Sequence, residues 1–120
     1  MYKSRFTKIV VLFCAMIVFI KENSPLAKIA ARKLHSRAAA IVVNKTIYLW
    51  GASREEFLQS PSWVRHEVAH VNQYKKWKLL PFIVLYLYQT LRNGYNNNRF
   101  EMEARREENN PEILNNILFR

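Results

Sequence analysis

Apolar and polar positions alternate along this chain in a way that divides it into four sections. The first contains IVVLFCAMIVFI, Ile9 to Ile20, behind Lys3, Arg5 and Lys8. As a helix this run would cover roughly 18 Å, short of the roughly 30 Å hydrocarbon core of a bilayer. It is therefore expected as an apolar N-terminal helix within residues 1–24. That helix would be a membrane-interface anchor, a secretory signal or a core helix. No A-x-A-like cleavage site follows Ile20 directly, where the chain continues KENSPLAKIA. The downstream flank carries Lys21, Lys28, Arg32, Lys33 and Arg37 against Glu22 alone. Positive charge on both sides favours retention at the cytoplasmic face of a membrane. The alternative is a secreted or periplasmic domain after signal cleavage.

Residues 25–120 are expected to form one domain. Ser24 and Pro25 are a good N-cap and first helical position, and LAKIAARKLHSR then puts Leu26, Ile29, Ala30 and Leu34 on one face. AAAIVV and TIYLW, around Asn44-Lys45, read as a short β-hairpin closed by Gly51. Ser60 and Pro61 start a helix expected to run to about Lys78, with Val64, Val68 and Val71 as its buried stripe. Within LLPFIVLYLYQT, Leu79 to Thr90, the run from Phe82 through Tyr88 is apolar or aromatic all round, which fits either burial between helices or contact with lipid. A last helix is expected from Asn98 through RFEMEARREE. The whole reads as an α+β, mainly helical fold with one short hairpin.

Composition sharpens this picture. Nineteen Lys and Arg stand against nine acidic residues, all Glu, for a formal net charge of +10. That balance suits an anionic surface, of lipid or of nucleic acid. No nucleic-acid reader is recognisable, because there is no zinc-finger spacing or RNP phrase and the basic residues are dispersed. Cys14 is the single cysteine, which excludes an internal disulfide.

The chemistry lies in WVRHEVAHVNQY. His66 and His70, four residues apart, project from one face of the motif helix, and Glu67 lies on the adjoining edge. In H-E-x-x-H, two imidazoles bind zinc and the intervening carboxylate serves as a base for water. A shuffle of this composition contains that motif roughly once in two hundred, so chance is a poor explanation. Gln73 is placed to orient a ligand or simply to lie on the helix surface. His35, at a basic helix end, reads as a solvated residue.

Zinc in a catalytic site needs a third protein ligand. The carboxylates that can return to the site are in RFEMEARREENNPE: Glu101, Glu103, Glu107 and Glu108. Glu101 is in the first turn of its helix, but Asn98 with Glu101 also has the form of a capping box. Spacing leaves those two roles tied.

At these residues the chain resembles a known family. HEVAH followed by FEMEAR is similar to the gluzincin metallopeptidases, where a glutamate in F-E-x-x-A-D completes the H-E-x-x-H site. More closely, HEVAHVNQY with GYNNNRFEMEAR resembles the small bacterial proteins related to the extracellular contractile injection system core domain. The resemblance covers roughly 38–107. It implies a minimal zincin-like fold and a zinc metallopeptidase, with His66, His70 and Glu101 as ligands, Glu67 as general base and a peptide or protein substrate. One departure stands out: Arg105 replaces the Asp that commonly supports a histidine ligand. A catalytically silent zinc-binding scaffold at the membrane is the alternative reading. Tyr95, in the loop before Glu101, is the candidate oxyanion donor.

Overall fold

The computed structural model describes residues 15–120. Four strands and five α-helices follow one another as β1 (Met16–Lys21), α1 (Pro25–Lys33), β2 (Ala39–Val43), β3 (Thr46–Trp50), α2 (Arg54–Leu58), α3 (Pro61–Trp77), α4 (Leu79–Asn93), α5 (Arg99–Glu107) and β4 (Ile117–Phe119). A 3-10 turn at Pro111–Leu114 precedes β4. The domain is α+β and mainly helical, as expected, but its sheet has more than a hairpin. The strand order is β2-β3-β1-β4, with β2 and β3 antiparallel and β1 parallel to both β3 and β4.

The largest correction falls at the N-terminus. The helix expected over residues 1–24 is not formed from Met16 onward: MIVFIK is a strand inside the sheet. Residues 1–14 lie outside the described residues. Val18 and Ile20 point into the core while Phe19 and Lys21 are exposed, the alternation of a strand buried on one face. A short β-branched apolar run suits a strand as well as a helix, and the free edge of β3 decides between them. Met16–Lys21 therefore belongs to the same sheet as residues beyond the expected boundary at 24/25.

The Ser24 side chain caps α1 by accepting from the Ala27 N–H. The buried side of α1 is Ala27 and Ala31, which lets the helix sit close to β2 and β3; Leu26, Ile29 and Leu34 are exposed instead. The hairpin matches the pattern, with Val43 opposite Thr46 and Asn44 in the left-handed region. Gly51 has φ +79°, and a Cβ there would lie 2.1 Å from the Arg37 carbonyl oxygen. Only glycine fits both constraints.

α2 was not anticipated, although SREE carries its signal: the Ser53 and Glu56 side chains form a reciprocal capping box. Ser60 stands at the N-cap of α3 without a side-chain cap bond; its hydroxyl donates to the Glu56 carbonyl. Val64, Val68 and Val71 of α3 are buried with Val18, Ile47, Leu49 and Phe57 in one core. Each fully buried Leu, Ile or Phe of that core contributes about 1.5–3 kcal/mol relative to exposure.

Candidate metal centre

α3 fastens its inner stripe to the core and leaves His66, Glu67, His70 and Gln73 on the side that meets α5 and the edge strand β2. The chain turns sharply at Lys78, runs back through α4 and enters α5 at Asn98. Asn98 is fully buried and fully bonded. Its Oδ1 accepts from the Phe100 N–H at 2.8 Å, and its Nδ2 donates to the Tyr86 carbonyl at 3.0 Å and to Thr90 Oγ1 at 2.9 Å. This residue locks the start of α5 against α4 and so sets where Glu101 points.

Glu101 points between the two imidazoles. Its Oε1 is 3.0 Å from His66 Nε2 and its Oε2 is 3.1 Å from His70 Nε2. The Tyr86 hydroxyl donates to the same carboxylate. No bond joins Glu101 to the Asn98 backbone N–H, which goes to the Tyr95 carbonyl instead. Asn98 caps α5 alone, so the capping-box role is not the one Glu101 takes.

The far nitrogens of both rings are engaged as well. Gln73 Nε2 donates to the Phe100 carbonyl at 3.0 Å and to Glu103 Oε1 at 3.2 Å, which turns its Oε1 toward His70 Nδ1 at 2.8 Å. His66 Nδ1 lies 2.8 Å from Glu108 Oε2. Both partners are acceptors, so each Nδ1 carries a proton, and in the neutral form of either ring Nε2 would present its lone pair to the centre. Two such lone pairs facing a carboxylate repel unless positive charge stands among them. His66, His70 and Glu101 offer ligand atoms within 4.8 Å of one another, a two-nitrogen, one-oxygen set that could hold a metal ion.

The electrostatics of the cluster point the same way. Burial works against a charge on His66, but the bonds to Glu101 and Glu108 and the charges of Glu67 and Glu101 outweigh it, and its pKa is pushed up to about 9. His70 is likewise raised: burial opposes its charge, and Glu101 and Glu67 overcome that. Burial would raise Glu101, yet its bonds to His66, His70 and Tyr86 hold it well below the usual carboxylate range. The surroundings thus favour positive charge at the two Nε2 atoms, whether as protons or as a metal cation. Glu67 differs. Burial pushes its pKa up to about 7, only partly offset by His70 and His66.

Of the residues anticipated from the sequence, His66, Glu67, His70, Glu101 and Tyr95 all line one cleft of about 300 Å³. Tyr95 stands at its mouth, and burial and the Glu101 charge raise its pKa. Gln73 is buried and orients His70, settling its two expected roles in favour of the site. His35 is exposed and outside the cluster.

Two contributors were missed. Tyr86 gave no signal beyond being an aromatic on an apolar helix. Glu108 was considered only as a ligand, yet it supports a ligand: Glu101, Arg105 and Glu108 recur at i, i+4 and i+7, so Glu108 stands one turn beyond Arg105 on the same face. Arg105 bonds the Asn96 carbonyl, and Arg65 Nη1 holds the Glu108 carbonyl at 3.0 Å. The carboxylate that bonds His66 from behind thus comes from position 108, not from position 105. Compared with family models, curated proteins and solved structures, the chain matches none.

Proposed function

We propose that the protein is a minimal zincin-like zinc metallopeptidase. The observation that carries this reading is the convergence of two imidazole Nε2 atoms on one carboxylate, each imidazole oriented from behind by its own acceptor. The resemblance of HEVAH and FEMEAR to the gluzincins supports it independently. His66, His70 and Glu101 would hold the ion. When bound, zinc supplies a Lewis acid that polarises a carbonyl and acidifies water.

The remaining steps belong to the chain. Glu67 borders the ligands without being one, and a carboxylate titrating near neutrality can take a proton from water and return it to the leaving amine. Tyr95 and Tyr86 keep their protons well above neutral pH and face the same cleft; the single O–H of Tyr86 is committed to Glu101, which leaves Tyr95 to donate to a developing oxyanion. Among the described residues β2 is an edge strand, and Ala40–Val43 line the cleft beside the motif helix. An extended peptide pairing with that edge would pass its backbone across the cluster. This geometry favours a peptide over a compact small molecule.

The test combines metal analysis with cleavage of a broad peptide library. Wild type should purify with one zinc per chain and cut peptides, while His66→Ala should lose both. Glu67→Gln should keep its zinc and its fold and lose most cleavage, by the ~10²–10⁴-fold that a general base supplies. Zinc without cleavage in the wild type would favour the silent scaffold. No stoichiometric zinc would remove the enzyme reading.

A further inference from the structure

Leu80, Val84, Leu87, Tyr88 and Leu91 recur at i, i+4, i+7, i+8 and i+11 and so share one face of α4. That face is bare: Leu80 is 70% exposed, Val84 65% and Leu91 87%. Phe82 is the one buried residue of the helix, packed on Tyr74 and Phe100 on the other side. Leu26, Ile29 and Leu34 form a second bare apolar group at α1. Both helices line the candidate site, α1 through Ala30 and α4 through Ile83, Tyr86 and Leu87. Leu87 belongs to the cleft wall and to the bare face alike. Exposed apolar surface therefore flanks the cleft on two sides.

We propose that these faces of α1 and α4 seat the protein on an anionic lipid surface, with the mouth of the cleft turned toward the headgroups. Charge selects this occupant. No acidic residue occurs between Glu22 and Glu55 or between Glu67 and Glu101, the two stretches that contain these helices. Lys28, Arg32, Lys33 and Arg37 accompany the first, and Lys75, Lys76, Lys78 and Arg92 bracket the second. A second copy docking on the same faces would set like charge against like charge, whereas anionic headgroups neutralise it.

Helix length selects the mode of binding. α4 is 15 residues long, about 22 Å, against a hydrocarbon core of roughly 30 Å. Among the described residues no helix is long and apolar enough to cross a membrane. An apolar stripe with basic flanks and too short a span lies in the interface plane. This docking goes beyond the peptidase reading and does not depend on it.

The full chain carrying Cys14→Ser and Val84→Cys, labelled with an environment-sensitive fluorophore, tests it. The control label is at Glu112→Cys, in the turn leading to β4 at the sheet edge opposite β2. On phosphatidylglycerol-containing vesicles the label at 84 should shift to the blue and brighten, while the label at 112 stays unchanged. Phosphatidylcholine vesicles should produce little shift. Adding Leu80→Glu and Leu91→Glu, both largely exposed positions, should weaken the response by on the order of tenfold or more while circular dichroism stays the same. An unresponsive label at 84 overturns the proposal even if the chain binds vesicles through another segment. So does an equal response to uncharged vesicles, or a response at both positions. A shift that grows with protein concentration in the absence of lipid overturns it in favour of a second copy.

Discussion

At the scale of single residues, the centre depends on which carboxylate does what. Glu101 contacts both imidazoles, whereas Glu103 touches only the Gln73 amide. Glu101→Gln should therefore weaken zinc binding by more than the ~10–100-fold typical of losing a group that merely supports a ligand. Glu103→Gln should stay below that range. Competition titration with a chromophoric chelator measures both, and equal losses would show that Glu101 is not a ligand. Glu108 is expected to sit within the ~10–100-fold range, because Glu108→Gln takes away the charge that orients His66 through Nδ1. Arg105→Asp, which restores the residue of the resembling family, should change affinity little, since Glu108 already occupies the bond it would make. A large gain from Arg105→Asp would show that Glu108 does not replace it.

At the scale of elements, the junctions carry the strain. α3 ends at Lys78 with φ 72° and ψ 160°, and α4 ends at Gly94 with φ 81° and ψ 165°. The two helix ends share one backbone conformation that is essentially reserved for glycine, and a side chain there costs about 1–3 kcal/mol. Gly94 meets that demand and Lys78 does not. Lys78→Gly should stabilise the fold by about 1 kcal/mol, after the greater freedom glycine gives the unfolded chain is subtracted. Urea denaturation reads this directly, and a loss of stability would mean that the lysine side chain contributes more than its backbone costs. The tight turn matters to the site because it brings α4 back along α3, which lets Asn98 dock and aim Glu101.

At the scale of the whole molecule, β1 joins the N-terminal segment to the rest. It stands between β3 and β4, with Val18 fully buried. Cleavage after Ile20 would remove most of an interior strand and leave β4 without its partner. The chain isolated from its native host should accordingly begin at or before Met16, and N-terminal sequencing settles it. A mature start downstream of Ile20 would require a sheet other than the one described. Among the described residues the same arrangement leaves β2 as an edge strand beside the cluster, where the proposed extended substrate would pair.

Local pattern was enough to locate the hairpin, the Ser24-Pro25 start of α1, the motif helix and the pairing of His66 with His70. Each of these depends on contacts within a few residues: a turn at Asn44, a cap, and a period of 3.6 that stacks positions four apart. The capping box of α2 was equally local and could have been read from SREE. Tertiary structure decided the rest. Whether MIVFIK is a helix or a strand depends on an edge presented by β3, far along the chain, and β4 is a three-residue strand defined by pairing with β1. Glu101 could cap its own helix or face the imidazoles, and spacing allows both. The buried bonds of Asn98 to α4 orient the helix, and the two histidines and Tyr86 then claim the carboxylate. Glu108 supports His66 for the same reason: partners across 42 positions of chain are chosen by how helices dock, which no local period records.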